Sequence, residues 1–144
     1  MQKKTISYEY ISFIIDLLAQ RVNVNCDQII GIGRGGLIPA TMLAYKINKK
    51  VASFGISTFS GSKRDDAYYV YQEPQIVEGC KYLVVDDICD SGNTFNIFRN
   101  RYKNSGGVFE YASLFVKDCS SKYVDHYGMS VSDDIWVSFP WDIN

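Results

Sequence analysis

Apolar residues recur along this chain with two different periods, and the switches between them mark its elements. Ile11, Ile14, Ile15, Leu18 and Val22 follow helical spacing, which predicts a helix from Tyr8 to about Arg21 with one face on the core. Ser7 is placed to cap it, and Glu9 suits the positive end of its dipole. Gln28-Ile29-Ile30-Gly31-Ile32 then reads as a buried strand. Gly33-Arg34-Gly35-Gly36 turns the chain, and Leu37 to Lys46 continues as a helix with Pro39 expected in its first turn. Lys50 to Ile56 is the next strand, and two strands joined by such a helix form a right-handed βαβ unit.

The pattern lapses into Ser, Gly, Lys, Arg and Asp from Ser57 to Ala67, beside Tyr68-Tyr69-Val70-Tyr71. This predicts a polar, mobile loop over about 57–67 carried on a β-ribbon; a solvated hairpin tip is the simpler alternative. Pro74 to Gly79 is turn-rich and leads into Lys81-Tyr82-Leu83-Val84-Val85-Asp86-Asp87, a short apolar run ending in two acids. A helix from Thr94 to Lys103 is stopped by Gly106-Gly107. Val108 to Val116 is another strand, 119–134 reads as polar and irregular, and Ile135-Trp136-Val137 is a last short strand before Phe139-Pro140-Trp141-Asp142. Strands alternating with helices predict an α/β fold with a doubly wound, mainly parallel sheet flanked by helices, and a ligand at the strands' C-terminal edge.

Composition narrows the class. With 144 residues, 47% hydrophobic and 22% charged, the chain is expected to form one globular domain over 1–144. A formal net charge of −1 argues against nucleic acid or an anionic membrane as partner. Asp16 interrupts the first apolar stretch, so neither a signal peptide nor a membrane span is expected. Cys26, Cys80, Cys89 and Cys119 form no CxxC pair; free thiols in a reducing cytoplasm are the simplest account. His126 is single, and a surface or structural role is expected for it.

Two turns carry the chemistry. Gly31-Ile32-Gly33-Arg34-Gly35-Gly36 satisfies GxGxxG. A dinucleotide site also needs an acid at the end of the second strand, and 50–62 contains no Asp or Glu. What remains is exposed backbone N–H groups and one guanidinium, which suit a polyphosphate, or else a plain turn with Arg34 in solvent. The second turn, Asp86-Asp87-Ile88-Cys89-Asp90-Ser91-Gly92-Asn93-Thr94, joins a strand to a helix start, an anion site crowded by three carboxylates. Asp86 and Asp87 repel phosphate oxygens, but carboxylates accept from vicinal hydroxyls and bind Mg²⁺. A ligand with a phosphate, a diol and a magnesium-bound polyphosphate satisfies every group, as phosphoribosyl pyrophosphate would. A purely structural cluster of acids is the alternative.

The run Leu83 to Thr94 resembles the phosphoribosyl pyrophosphate signature of type I phosphoribosyltransferases, and Gly33-Arg34-Gly35-Gly36-Leu37-Ile38-Pro39-Ala40 resembles their pyrophosphate loop. The one departure is Ser91, where the signature usually has Thr; both supply a hydroxyl. The C-terminal part, Phe115-Val116-Lys117 and Trp136-Val137-Ser138-Phe139-Pro140-Trp141-Asp142, is similar to the bacterial xanthine-guanine and hypoxanthine phosphoribosyltransferases. The resemblance implies the type I phosphoribosyltransferase fold, with a small base-binding hood over about 117–144.

It also implies transfer of the 5-phosphoribosyl group from phosphoribosyl pyrophosphate to N9 of a 6-oxopurine (guanine, xanthine or hypoxanthine), with Mg²⁺ as cofactor, in purine salvage. Carried over residue by residue, Asp86 and Asp87 hold the ribose hydroxyls. Asp90, Ser91, Gly92, Asn93 and Thr94 cradle the 5-phosphate, while Arg34 and Gly35 meet pyrophosphate. Lys117 contacts the 6-oxo group, Trp136 stacks on the base, and Val137 reads it through its backbone. An ammonium favours a carbonyl over an amino group and an indole face suits a purine; a core Trp136 and a surface Lys117 are the alternatives. Asp90 is the candidate for accepting the purine proton. Asp87 and Asp142 are metal ligands by the same resemblance, and Ser57, Thr58 and Lys63 are candidate pyrophosphate contacts. Trp141 reads as core or interface. A homodimer or homotetramer is expected. A pyrimidine phosphoribosyltransferase and a non-catalytic, phosphoribosyl-pyrophosphate-binding regulator are the alternatives in function.

Overall fold

The computed structural model describes residues 1–22, 25–58 and 67–142. Along the chain run β1 (Gln2–Thr5), α1 (Tyr8–Arg21), β2 (Gln28–Ile32), α2 (Gly33–Ile47), β3 (Lys50–Thr58), β4 (Tyr68–Gln72), β5 (Lys81–Cys89), α3 (Asn93–Tyr102), β6 (Val108–Lys117), a 3₁₀ helix (Asp118–Tyr123), β7 (His126–Val131) and β8 (Ile135–Ser138). Six strands form one sheet in the order β4-β3-β2-β5-β6-β7, while β1 and β8 form a two-stranded sheet apart from it. Among the described residues only the β3–β4 pair is antiparallel. The expected α/β sheet is therefore present, with β5 at its centre.

Each face of the sheet carries its own core. On one, α1 and α2 bring Ile11, Ile14, Ile15, Leu18 and Leu43 against Ile29, Leu83 and Val85. On the other, Phe95 and Phe98 of α3 pack with Phe54, Val84 and Tyr111. Phe98 meets Phe54 edge-on at 5.2 Å, and the same at Phe109, the arrangement aromatic quadrupoles favour. Both layers bury the flanks of β5, so its C-terminal end is the fixed point around which the site is built.

Three features differ from expectation, each for a physical reason. Helix α2 begins at Gly33 rather than Leu37, which puts Pro39 in its second turn. Pro39 has no N–H to give the Gly35 carbonyl, so one intrahelical bond is forgone near the helix start. Strand β1 has all four residues exposed; Gln2-Lys3-Lys4-Thr5 shows no apolar period because backbone pairing with β8, and not burial, holds it. The segment expected to be irregular contains the 3₁₀ helix and β7. β7 is an edge strand pairing with β6, and Arg21 donates to the carbonyls of Tyr127 (2.7 Å) and Gly128 (3.0 Å), occupying its outer face. Of the loop expected over 57–67, residues 59–66, Lys63 among them, lie outside the described residues. His126 pairs with Glu110 at 2.8 Å, a structural link between β6 and β7.

Candidate functional site

The acid pair sits where β5 leaves the core. Asp87 N–H donates to Asp86 Oδ1 at 2.8 Å, and Ile88 N–H donates to Asp87 Oδ1 at 2.7 Å. Both side chains keep some surface toward the cleft, yet burial pushes both carboxyls above the usual range. The Asp87 charge raises Asp86 further; Asp87 is pushed up by burial and by the Asp142 charge, against hydrogen bonds with Asp86, Ile88 and Trp141 that pull it down. Such a pair is short of donors and of positive charge. Vicinal hydroxyls and a divalent cation supply both.

Helix α2 comes within contact of this pair because residues 35 and 36 lack side chains. A Cβ on Gly35 would strike Asp87 Oδ2 and stand 3.2 Å from its Cγ; one on Gly36 would stand 2.8 Å from the Val85 carbonyl. Arg34 is exposed beside them, lining a cavity of about 630 Å³ with Ile38, Trp136, Ser138, Trp141 and Asp142.

Past the acids, Ser91 and Gly92 turn the chain into α3. Gly92 holds φ +83°, a left-handed conformation that glycine takes without strain, and its missing Cβ is where the Tyr123 ring packs. Helix α3 has no acid in its first turn and no side-chain cap. The N–H groups that follow Asn93 in its first turn therefore face the cradle, a cavity of about 260 Å³ lined by residues from Asp86 to Phe95, with the polarity that binds an anion. Ser91 Oγ accepts from Asn93 N–H at 3.2 Å. From beneath, Ser120 Oγ donates to the Asp90 carbonyl, so the 3₁₀ helix supports the cradle. Nothing in the sequence pattern marked Ser120 or Tyr123.

A third cavity, of about 200 Å³, opens next door between Asp87, Ile88, Asp90, Lys117, Trp136 and Val137. Lys117 is buried, only 4% exposed, and donates from Nζ to the carbonyls of Asp133 and Ile135. That excludes a solvated surface lysine. Trp136 is 58% exposed at the cavity's mouth, which excludes a core aromatic. The backbone of β8 explains Val137. Gln2 N–H donates to the Asp134 carbonyl and Ile6 N–H to the Ser138 carbonyl, so alternate carbonyls of this strand face β1. Ile135 and Val137 turn theirs the other way, and the Ile135 carbonyl meets Lys117 there.

The C-terminal turn closes the site. Asp142 Oδ2 accepts from Phe139 N–H at 2.8 Å and Asp142 N–H donates to the Phe139 carbonyl at 3.0 Å. Trp141 Nε1 donates to Asp87 Oδ2 at 3.4 Å, a contact that no spacing in the sequence announced. Among the described residues no three His, Cys, Asp or Glu could hold a metal by themselves. Mg²⁺ seldom needs such a cage, since one or two carboxylates and the substrate's own phosphate oxygens suffice. Asp87, with Asp142 adjacent, fits that requirement. Another cavity, of about 710 Å³ between Asp27, Lys50 and Glu73, lies at the opposite, N-terminal ends of β2 and β3 and brings no comparable chemistry together.

Comparison with known proteins gives one consistent answer. The family model described as "Phosphoribosyl transferase domain" matches residues 6–144. The xanthine-guanine phosphoribosyltransferase of Idiomarina loihiensis is 30% identical over 118 residues, 81% of this chain and 71% of that protein. That of Gluconobacter oxydans is 33% identical over 122 residues, 79% of this chain and 67% of that protein. Among solved structures, the purine phosphoribosyltransferase from Pyrococcus horikoshii Ot3 superposes with a TM-score of 0.86 at 24% identity, covering 100% of this chain and 96% of that one. A hypothetical protein from Neisseria gonorrhoeae with bound ppGpp gives 0.85 at 25% identity, over 99% of this chain and 90% of that one.

Proposed function

Because this chain belongs to the phosphoribosyl transferase family, we propose that it joins a 6-oxopurine through N9 to the ribose C1 of phosphoribosyl pyrophosphate, releasing pyrophosphate, as a step of purine salvage. One observation carries this reading. The phosphate cradle and the cavity beneath Trp136 share Asp87, Ile88 and Asp90. A ribose whose 5-phosphate lies in the first cavity presents C1 toward a base in the second.

In this reading Asp86 and Asp87 accept from the ribose hydroxyls, which supply the donors the pair lacks. Asp90, Ser91, Gly92, Asn93, Thr94 and the free N–H groups of α3 hold the 5-phosphate. Arg34 and the backbone of Gly35 take the leaving pyrophosphate, where negative charge grows as the glycosidic bond breaks. Trp136 covers one face of the purine. Lys117 donates to the 6-oxo oxygen, and the backbone of Val137 meets the far edge of the base. Asp90, bordering both cavities, accepts the proton that leaves the purine. Mg²⁺ would be held by Asp87 with Asp142 beside it, supplying positive charge to the pyrophosphate oxygens. Ser57 and Thr58, at the end of β3, are offered as further pyrophosphate contacts. We place the enzyme in the cytoplasm as a homodimer or homotetramer. No helix among the described residues is long and apolar enough to cross a membrane.

The test is incubation with phosphoribosyl pyrophosphate, Mg²⁺ and guanine, xanthine, hypoxanthine or orotate in turn, with nucleotide as the readout. Product with one or more of the purines supports the reading. Product from orotate alone would make this a pyrimidine enzyme. Binding of phosphoribosyl pyrophosphate without product from any base would favour the regulator. The hypothetical protein from Neisseria gonorrhoeae has ppGpp bound, so a guanine nucleotide bearing polyphosphate is proposed as a second ligand of this chain, to be checked as an inhibitor in the same assay.

A further inference from the structure

We propose that Trp141 is a positioning residue for Asp87, tying the carboxylate that meets ribose to the hood that meets the base. The proposal rests on the functional reading above. Asp87 Oδ1 is held from within β5 by Ile88 N–H at 2.7 Å, a bond that leaves the carboxyl free to swing about its own side chain. Oδ2 faces the gap opened by Gly35 on one side and the Trp141 indole N–H, 3.4 Å away, on the other. Partners on two different elements, β5 and the C-terminal turn, set the plane of the carboxylate; those within β5 alone would leave it a rotation.

The indole is itself well held. Its ring lies parallel to Phe139, 5.0 Å between centroids and 5° between planes, with Tyr8 at 6.3 Å on α1. Phe139 is buried in the core. The backbone around it is closed by the paired Phe139–Asp142 hydrogen bonds. A tryptophan needed only for packing would have no reason to aim its one donor at a carboxylate already short of them. Trp136 and Val137, five and four residues earlier on the same segment, line the base cavity. A base seated there and a ribose on Asp87 are thereby linked through a rigid turn, and Trp141 is the link that touches the acid.

The experiment compares wild type with Trp141→Phe, which keeps an aromatic ring on Phe139 and removes the donor. Calorimetric titration with phosphoribosyl pyrophosphate and Mg²⁺ should show Kd weakened about tenfold, the scale of one hydrogen bond to a charged group. KM for the purine and the melting temperature should stay near wild type. Equal phosphoribosyl pyrophosphate affinity in the two proteins would overturn the proposal. So would parallel losses in Tm and in both substrates, the mark of a residue that only packs. Should Trp141→Phe not fold, the indole N–H signals decide. The chain has two tryptophans, and the Trp141 signal, identified by its survival in Trp136→Phe, should move in Asp87→Asn. A Trp141 signal unmoved by that change sinks the idea. A wild-type chain that binds no phosphoribosyl pyrophosphate overturns the functional reading instead, an outcome distinct from equal binding by both proteins.

Discussion

Residue 35 has no room for a side chain, because a Cβ there would occupy the space of Asp87 Oδ2. The arginine loop and the acid pair are thus one surface, brought to contact by a glycine. Gly35→Ala forces the carboxylate aside or the helix start outward, either by the order of an ångström. Turnover per unit of phosphoribosyl pyrophosphate, kcat/KM, should fall about 100-fold, the cost of such a misplacement. Far-UV circular dichroism should be unchanged, since the helix otherwise gains from alanine. Steady-state kinetics varying phosphoribosyl pyrophosphate checks it.

The strained acids give a pH prediction opposite to that of a salt-bridged aspartate. Folding raises the Asp86 carboxyl well above its ordinary 3.8, so the folded chain holds a proton that the unfolded chain has released. Stability is then greatest below about pH 4 for this group and is lost as pH rises through the raised folded value. Asp86→Asn removes that penalty. The variant should melt a few degrees above wild type near pH 7, with the gap closing toward pH 4, while its affinity for phosphoribosyl pyrophosphate collapses. Calorimetric melting across that range is the measurement. A gap that widens on acidification would contradict the assignment.

Lys117 is buried with its ammonium on the carbonyls of Asp133 and Ile135. Lys117→Met keeps the apolar stem and discards the donor. KM for a 6-oxopurine should rise about 10- to 100-fold, the worth of a charge-assisted bond. Affinity for phosphoribosyl pyrophosphate should stay within a factor of two or so, because the cradle lies on other elements. Separate titration of each substrate distinguishes this from general loss of structure.

Strand β8 is paired by a strand with no buried residue. β1 pairs with β8 from Gln2↔Ile135 to Thr5↔Ser138, and those backbone bonds hold Val137 at the cavity it lines with Lys117 and Trp136. Deleting residues 2–5 should weaken purine binding about tenfold or more through loss of these bonds. Phosphoribosyl pyrophosphate binding, set by β5 and α3, should persist. A deletion that lowers both equally would mean β1 supports the whole domain.

Legibility followed burial. Helix α1 could be read from Ile11, Ile14, Ile15 and Leu18 because each is buried against the sheet, and β5 from its apolar run. The acids and the Ser91–Thr94 turn were visible because their chemistry is compact in sequence. What escaped was held by backbone or by distant partners. β1 has no apolar face, β7 is an edge strand of mixed character, and Trp141 meets Asp87 across 54 residues. The early start of α2 escaped because glycines that favour turns elsewhere serve here as a close contact with β5.

In the proposed function one cleft joins a ribose phosphate at Asp86–Thr94 to a 6-oxopurine at Lys117 and Trp136. Release of pyrophosphate from phosphoribosyl pyrophosphate and Mg²⁺, followed side by side with hypoxanthine, guanine, xanthine and adenine, tests it most directly. At least one 6-oxopurine should react about 100-fold or more faster than adenine, whose amino group cannot accept from Lys117. Equal rates with adenine, or no release with any purine, would contradict the account.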